Sequence, residues 1–192
     1  MLKYNPYYTR SYKKGRPTFY YKGIENTYNE IRAGGVIFYK FQGGKLKLLL
    51  INKTHDQLYE DFGGKTDMED YTILDTITRE IYEESNKIIK KKFIMRKLLN
   101  KNSCELYNNK SKYLVFLIKL NFHVTGKQFG NKEIHDDIDR TVEWIDYEKY
   151  EKLKLKNKIN PRLNFKQLEE ELNFIIYNNN YKSIYDINNL KI

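Results

Sequence analysis

The residues best suited to chemistry are an arginine and three glutamates at positions 79–84, namely Arg79, Glu80, Glu83 and Glu84. On a helix of 100° per residue, Glu84 lies about 40° to one side of Glu80 and Glu83 about 60° to the other. Carboxylates that share a face repel one another, and Mg²⁺ or Mn²⁺ would relieve that repulsion. Arg79 can hold a carboxylate in position. The pattern predicts a metal site on a helix, although such a charged face can also be simply solvated.

Two glycines, Gly63 and Gly64, precede this helix at the point where the chain is expected to leave a strand. Paired glycines permit positive φ angles and leave a backbone carbonyl free to approach a metal or a phosphate closely. Lys65 beside them could contact a phosphate, or it could be an ordinary exposed lysine. Thr72 is expected to cap the helix, with Asp75 three residues further on.

The segments around this helix alternate between strand and helix patterns. Residues 33–39 and 45–52 predict a β-hairpin, because a turn sequence with two glycines separates them. Further strands are expected at 58–62, 112–122 and 141–145, and helices at 72–89 and 164–177. A helix inserted between strands predicts an α/β fold, with a mixed sheet and helices on its faces.

The two ends of the chain differ from the region between them. Residues 1–31 combine seven tyrosines with six lysines or arginines, and they predict an extended arm with one short strand at 18–22. The arm could stack on single-stranded RNA, or it could pack its tyrosines on the domain surface. Residues 32–177 form the predicted domain, and 178–192 a polar tail.

Length and composition narrow the class of protein. A chain of 192 residues suits one domain, and its 40% hydrophobic content, without a long apolar run, excludes a membrane protein. Thirty-five Lys and Arg against 25 Asp and Glu give a net charge of +10, which favours polyanionic partners, although codon bias would have the same effect. One cysteine, Cys104, excludes an internal disulfide framework, and a reducing, cytoplasmic location fits best.

The stretch from Gly64 to Asn86 resembles the Nudix box of Nudix hydrolases, Gly-x5-Glu-x7-Arg-Glu-apolar-x-Glu-Glu-x-Gly-apolar. Gly64 matches the first glycine, and residues 79–84 match the central hexad. One residue is inserted in the loop, so that Asp70 or Glu69 must stand in for the box glutamate. Asn86 replaces the second glycine and is expected in the left-handed region. The resemblance covers roughly residues 32–177 and implies an α/β/α sandwich.

The resemblance also implies roles for the residues of the site. By similarity, Glu83 and Glu84 are the central ligands of two or three Mg²⁺ or Mn²⁺ ions, with Glu80 and the Gly63 carbonyl completing the set. Arg79 is expected to orient a glutamate instead of contacting substrate, and Gly64 and Lys65 are the candidate substrate contacts.

A further carboxylate, acting as base or ligand, is expected from the loop after the strong strand. Glu133 is the leading candidate, and its rivals are Asp136, Asp137, Asp139 and Glu143. His135 is expected at the surface, and Trp144 in the core.

Nudix hydrolases cleave a pyrophosphate bond in a nucleoside diphosphate linked to another group. The leading substrate is 5′-capped RNA, because the basic arm could guide a polyanion, and Nudix decapping enzymes of large DNA viruses are similarly compact and basic. The alternatives are a nucleoside triphosphate, a nucleotide sugar, a dinucleoside polyphosphate or a diphosphoinositol phosphate. A non-catalytic Nudix-like module that binds RNA or a partner is a further alternative. No membrane partner is expected, and a homodimer remains open.

Overall fold

The computed structural model describes residues 11–13, 15–22, 28–100, 103–133 and 138–189. Its strands are β1 (Ser11–Lys13), β2 (Arg16–Lys22), β3 (Tyr28–Ile31), β4 (Ala33–Gln42), β5 (Lys45–Lys53), β6 (Tyr59–Glu60), β7 (Phe62–Lys65), β8 (Cys104–Asn108), β9 (Tyr113–Lys119) and β10 (Arg140–Asp146). Its α-helices are α1 (Ile73–Glu84), α2 (Lys91–Leu98), α3 (Tyr147–Leu155) and α4 (Lys166–Asn189). None of the helices in these ranges is long and apolar enough to cross a membrane.

The main sheet has the strand order β10-β5-β4-β9-β8, with β6 paired to β5 and β7 paired to β4. β4 and β9 are parallel, whereas the other pairs in this sheet are antiparallel. β6 runs along β5 and β7 returns along β4, so the chain reverses at Asp61 between them. This reversal brings Gly63 and Gly64 beside the start of β4, where the site is built.

Strand residues alternate between two cores, one on each face of the sheet. Val36 and Phe38 pack with α1 and α2, whereas Ile37 between them packs with α3 and α4. The same alternation runs along β5 and β9, as expected for strands buried on both faces. The predicted α/β/α sandwich with a mixed sheet is therefore confirmed, as is the hairpin of β4 and β5, whose turn places Gly43 and Gly44 at positive φ.

The ends of the chain differ from the sequence-based expectation. Where one short strand was expected before residue 32, β1, β2 and β3 form a small antiparallel sheet. Phe19 and Ile31 are fully buried in the core beside α1, and the Thr66 hydroxyl donates to the Pro17 carbonyl at 2.7 Å. Tyr4, Tyr7 and Tyr8 of the predicted arm lie outside the described residues.

The last helix is longer than the predicted segment 164–177. α4 continues to Asn189, through most of the predicted polar tail. The residues beyond 177 contain neither glycine nor proline, and asparagine weakens a helix only modestly, so nothing there forces it to stop.

A tight contact between β4 and β7 gives a test of this architecture. A Cβ built on Gly35 would lie 2.3 Å from both the Asp61 Oδ2 and the Tyr113 hydroxyl. We expect Gly35→Ala to lower the free energy of unfolding by about 3 kcal/mol, measured by urea denaturation, because the buried strand has no room for a methyl group. Gly34→Ala is the matched comparison and should lose less, since its nearest atoms lie farther away, at 2.9 Å in the Ile77 side chain and 3.0 Å at the Leu114 carbonyl. Equal losses in the two variants would contradict this packing.

Candidate active site

The carboxylate helix α1 is fixed at both ends. Thr72 caps its start, as predicted, and the Thr72 side chain and the Asp75 carboxylate each accept a backbone N–H of the other residue. Asn86, just past its end, adopts the predicted left-handed conformation with φ 50°. The Asn86 amide donates to the Phe129 and Lys132 carbonyls and thereby ties the helix end to the loop that carries Glu133.

The two glycines before the helix serve close packing instead of turn geometry. Gly63 and Gly64 lie inside β7, paired with β4, and neither adopts the positive φ that glycine permits. A Cβ on Gly64 would lie 2.5 Å from the Glu80 carboxyl carbon, so only glycine lets Glu80 approach the strand. The Gly63 N–H donates to Glu84 Oε2 at 2.6 Å, and the Gly63 carbonyl accepts from Arg162 Nη2 at 3.2 Å.

Arg79 gathers one group of carboxylates. Its Nε and Nη2 donate to the two oxygens of Asp70 at 3.2 and 3.0 Å, and its Nη1 lies 2.9 Å from Glu80 and 3.3 Å from Glu83. Asp70 is buried, whereas Glu69 is exposed, so Asp70 is the loop acid beside Arg79. Burial lowers the pKa of Arg79, but its contacts with Asp70 and Glu80 outweigh burial and raise it.

Glu84 belongs to a second group, gathered around Lys53 at the end of β5. The Lys53 ammonium lies 2.7 Å from Glu60 Oε1, 3.8 Å from Glu133 Oε1 and 4.0 Å from Glu84 Oε1. Glu84 is 3% exposed, and burial, followed by the charges of Glu60 and Glu133, raises its pKa well above the usual value. The predicted Glu133 thus lies in the same group as Glu84.

Two further arginines contact the acids around Lys53. Arg162 donates from Nε to Asp61 Oδ1 at 2.8 Å, and its Nη2 lies 3.5 Å from Glu60. Arg140, opposite Lys53 in the register of β10 and β5, reaches Glu133 at 3.4 Å. Cations therefore compensate a set of buried acids that would otherwise be very costly to desolvate.

The structure distinguishes Glu133 from two of the other candidate acids, Glu143 and Asp139. Glu143 accepts from the Tyr59 hydroxyl at 2.7 Å and from Lys149 at 2.9 Å, and Tyr59 belongs to the core on the opposite face of the sheet. Asp139 is exposed, whereas Asp136, Asp137 and His135 lie outside the described residues. Trp144 is half-buried against the core beside α1.

Sequence reasoning missed Glu60, Lys53, Arg140 and Arg162. A charged residue at the end of an apolar strand, as in Lys53, was the one signal available. Lys65, a predicted substrate contact, is exposed, and its backbone carbonyl accepts from Arg79 Nη2 at 3.0 Å.

The predicted metal ligands do not converge on one point. Among the residues that the structure describes, no group of three or more His, Cys, Asp or Glu side chains could hold a metal ion. Glu80 and Glu83 contact Arg79, whereas Glu84 contacts Gly63 and Lys53. The donor chemistry nevertheless fits a hard divalent cation, because carboxylates are the ligands that such a cation prefers. Burial raises the pKa of Glu80 and Glu84, Arg79 partly opposes this at Glu80, and neighbouring carboxylates raise both values further.

The raised pKa of Glu84 predicts how stability depends on pH. The unfolded chain loses this proton near pH 4.3, whereas the folded protein retains it to higher pH, so stability falls as pH rises through that window. We expect Glu84→Gln to raise the urea midpoint above that of the wild type at pH 8 in EDTA, and the gain to shrink towards pH 4. A variant that is no more stable at pH 8 would contradict a buried, electrostatically strained Glu84.

Neither a family model nor a curated protein matches the sequence. Among solved structures, the chain is similar to the Ap4A hydrolase of C. elegans in a binary complex, at 19% identity and a TM-score of 0.41, over 64% of this chain and 84% of that one. It is also similar to the NUDIX domain of NrtR from Shewanella oneidensis complexed with ADP ribose, at 11% identity and a TM-score of 0.48, over 80% of this chain and 93% of that one. At these values the likeness carries no conclusion about activity.

Proposed function

We propose that this chain is a metal-dependent Nudix hydrolase that cleaves a pyrophosphate bond in a nucleoside-diphosphate-linked substrate. The supporting observation is the arrangement of Glu84, which is buried, held by the Gly63 N–H and surrounded by other carboxylates. Burying mutually repelling acids destabilises a protein, and a bound divalent cation would relieve that cost. Perturbed carboxylates of this kind are typical of catalytic sites.

The roles follow from the two groups of carboxylates. Two or three Mg²⁺ or Mn²⁺ ions, held between them by Glu80, Glu83, Glu84 and the Gly63 carbonyl, would neutralise phosphate oxygens and lower the pKa of a bound water. Arg79 fixes Asp70 and orients the carboxylates of Glu80 and Glu83.

Glu133 is the candidate for the general base, since it shares Lys53 with Glu84. Exposed Lys65, next to Gly64, is available to a phosphate.

Capped RNA is the substrate that we favour. The net charge of +10 would attract a polyanion. An open cleft of about 400 Å³ beside Arg79 is lined by Lys91 and Lys92 of α2 and by Tyr71, which is 78% exposed, together with the acids Glu69, Asp70 and Asp75. Cations and an exposed ring are what single-stranded RNA requires for phosphate contact and base stacking.

A substrate panel tests the proposal. Capped RNA, free cap dinucleotide, nucleoside triphosphates, a nucleotide sugar and diphosphoinositol phosphates are incubated with Mg²⁺ or Mn²⁺, with Glu84→Gln as the blank. Release of a capped nucleoside diphosphate from RNA, with binding that weakens steeply as salt rises, would establish decapping. Turnover of a free nucleotide alone would support the hydrolase activity and refute decapping. The absence of any turnover would favour the non-catalytic binding module.

The N-terminal arm requires a shorter deletion than residues 1–31. Phe19 and Ile31 are core residues, so removing them would damage the fold. Deleting residues 1–10 removes Tyr4, Tyr7 and Tyr8, and we expect RNA affinity to fall about tenfold if they stack on bases. Hydrolysis of free cap dinucleotide serves as the control and should not change. Unchanged RNA affinity would refute an RNA-binding arm.

A further inference from the structure

The segment between Glu84 and Glu105 has a strongly one-sided charge, because it contains seven lysines or arginines and no acid. Five of these cations lie on or beside α2 and form the basic α2 surface, which consists of Lys90, Lys91, Lys92, Arg96 and Lys97. All of them except the half-buried Lys97 are exposed. The opposite side of the helix, with Ile94 and Leu98, is buried in the core, so α2 presents its cations to solvent.

Helix α3 shows that a lysine-rich composition alone does not produce this arrangement. In α3, Glu148 lies in the first turn and Lys152 and Lys154 lie in the last turn, the order that the helix dipole favours. Lys154 also pairs with Glu169. Codon bias would supply lysines to both helices, but in α3 they lie where they stabilise the helix and neutralise an acid.

In α2 the same charges lie where they destabilise the helix. Lys90 is the N-cap residue and makes no capping hydrogen bond, and Lys91 and Lys92 lie in the first turn without an acid. These charges oppose the helix dipole, and Lys92 and Arg96 are a like-charge pair one turn apart. Within the described part of the chain, no cation of the basic α2 surface has an acidic partner. A negatively charged ligand would relieve these costs.

The basic α2 surface connects two clefts. At the start of the helix, Lys91 and Lys92 line the cleft of about 400 Å³ that also contains Arg79. At its end, Lys97 and Lys119 line a second cleft of about 180 Å³, whose described lining residues include no acid. The acids of the first cleft belong to α1 and to the loop before it. A polyanion could therefore extend from the carboxylate site along α2 to the second cleft.

An aromatic ring lies beside this surface and favours a single-stranded nucleic acid as the polyanion. Phe122 is 41% exposed, and its ring packs edge-on against Phe93 of α2, with the ring centroids 5.4 Å apart. Single strands bind to surfaces that combine cations for the phosphates with rings on which unpaired bases stack. A duplex keeps its bases stacked on one another and offers no free face to such a ring.

We infer that the basic α2 surface binds the phosphate backbone of a single-stranded RNA substrate, beyond the 5′ end that is cleaved. The inference rests on the proposed function, because α2 borders the cleft beside Arg79 and capped RNA is the favoured substrate. The RNA chain would be anchored next to the carboxylate groups and not within them, so RNA affinity can be measured separately from hydrolysis.

A short single-stranded RNA with a 5′-hydroxyl end tests this surface without turnover, because it contains no pyrophosphate bond. Its affinity is measured by fluorescence anisotropy in EDTA over a range of salt concentrations. We expect the double variant Arg96→Gln and Lys97→Gln to weaken binding about tenfold or more at about 0.1 M salt. The slope of log K against log salt should become shallower by about 1.4, since each phosphate contact of a single strand contributes about 0.7.

The double variant Lys152→Gln and Lys156→Gln is the matched control. It also removes two positive charges near the end of a helix, and both lysines are exposed. However, α3 packs on the opposite face of the sheet from α2. The control should therefore bind RNA with the affinity and the salt dependence of the wild type.

The outcomes distinguish this surface from the proposed activity. No RNA binding by the wild type, or equal weakening in the two double variants, would overturn the inference. If the α2 variant is destabilised in urea, Lys90→Gln with Lys92→Gln decides, because loss of lysines from a helix start does not weaken the helix. RNA binding that depends on α2, with no hydrolysis of the substrate panel, would support the RNA surface and refute the hydrolase. Hydrolysis of capped RNA, with RNA binding unchanged in the α2 variants, would support the hydrolase and overturn the inference.

Discussion

Glu84→Gln is expected to lower kcat/KM for the hydrolysed substrate by about a thousandfold while the protein stays folded. Glutamine preserves the shape of the side chain and can still accept from the Gly63 N–H, but it removes the negative charge that a divalent cation needs. Charge stabilisation by a catalytic metal contributes several kcal/mol, and each 1.36 kcal/mol changes the rate tenfold. The measurement is steady-state hydrolysis with saturating Mg²⁺ or Mn²⁺.

Glu148→Gln is the matched control for this loss. Glu148 is an exposed carboxylate on α3, on the opposite face of the sheet, and the same chemical change there should leave kcat/KM unaltered. The stability measurement strengthens the test, because Glu84→Gln is expected to be more stable than the wild type in EDTA and yet inactive. A folded Glu84→Gln variant that hydrolyses substrate at the wild-type rate would refute a catalytic role for this helix.

The helix that carries these carboxylates could be predicted because its determinants are local. The apolar residues Leu74, Ile77 and Ile81 recur at helical spacing and are buried as expected, which fixes the direction of the acidic face. The capping box at Thr72 and the left-handed Asn86 follow from the preferences of single residues.

The partners of the carboxylates could not be predicted, because they come from distant parts of the chain. Arg162 contacts Asp61 across a separation of 101 residues, and Lys53 contacts Glu133 across 80 residues. The register of β5 and β10 places Arg140 opposite Lys53, and Arg140 also contacts Glu133. A single sequence contains no signal for contacts between residues so far apart in the chain. A charged side chain at the end of an apolar strand, such as Lys53, can equally lie at an exposed edge, so it does not by itself indicate a buried group of acids.

The glycine pair could be recognised in the sequence, but the use that the fold makes of it could not. Glycine permits positive φ and also permits close approach, and the sequence does not distinguish the two uses. The register of β7 against β4 decides, because it places Gly64 where a Cβ would meet the Glu80 carboxyl. Gly64 therefore positions an acid and does not form a turn.

Arg79 is the cation on which the first group of carboxylates depends. It contacts Asp70, Glu80 and Glu83, and Asp70 also accepts from the Thr76 hydroxyl at 2.8 Å. Because Asp70 is only 3% exposed, removing its cation would leave a buried charge without compensation. The pair therefore contributes to stability and also fixes the direction of Glu80 and Glu83.

Arg79→Met is accordingly expected to lower the free energy of unfolding by about 3–5 kcal/mol and kcat/KM by about 10–100-fold. Asp70→Asn should cost less, about 1–3 kcal/mol, because Arg79 keeps its two glutamates. Urea denaturation of both single variants and of the double variant measures the coupling. The double variant should lose at least about 1 kcal/mol less than the sum of the two single losses, since each substitution removes the same contact. Additive losses would mean that Asp70 and Arg79 act independently, and that a different acid replaces the box glutamate.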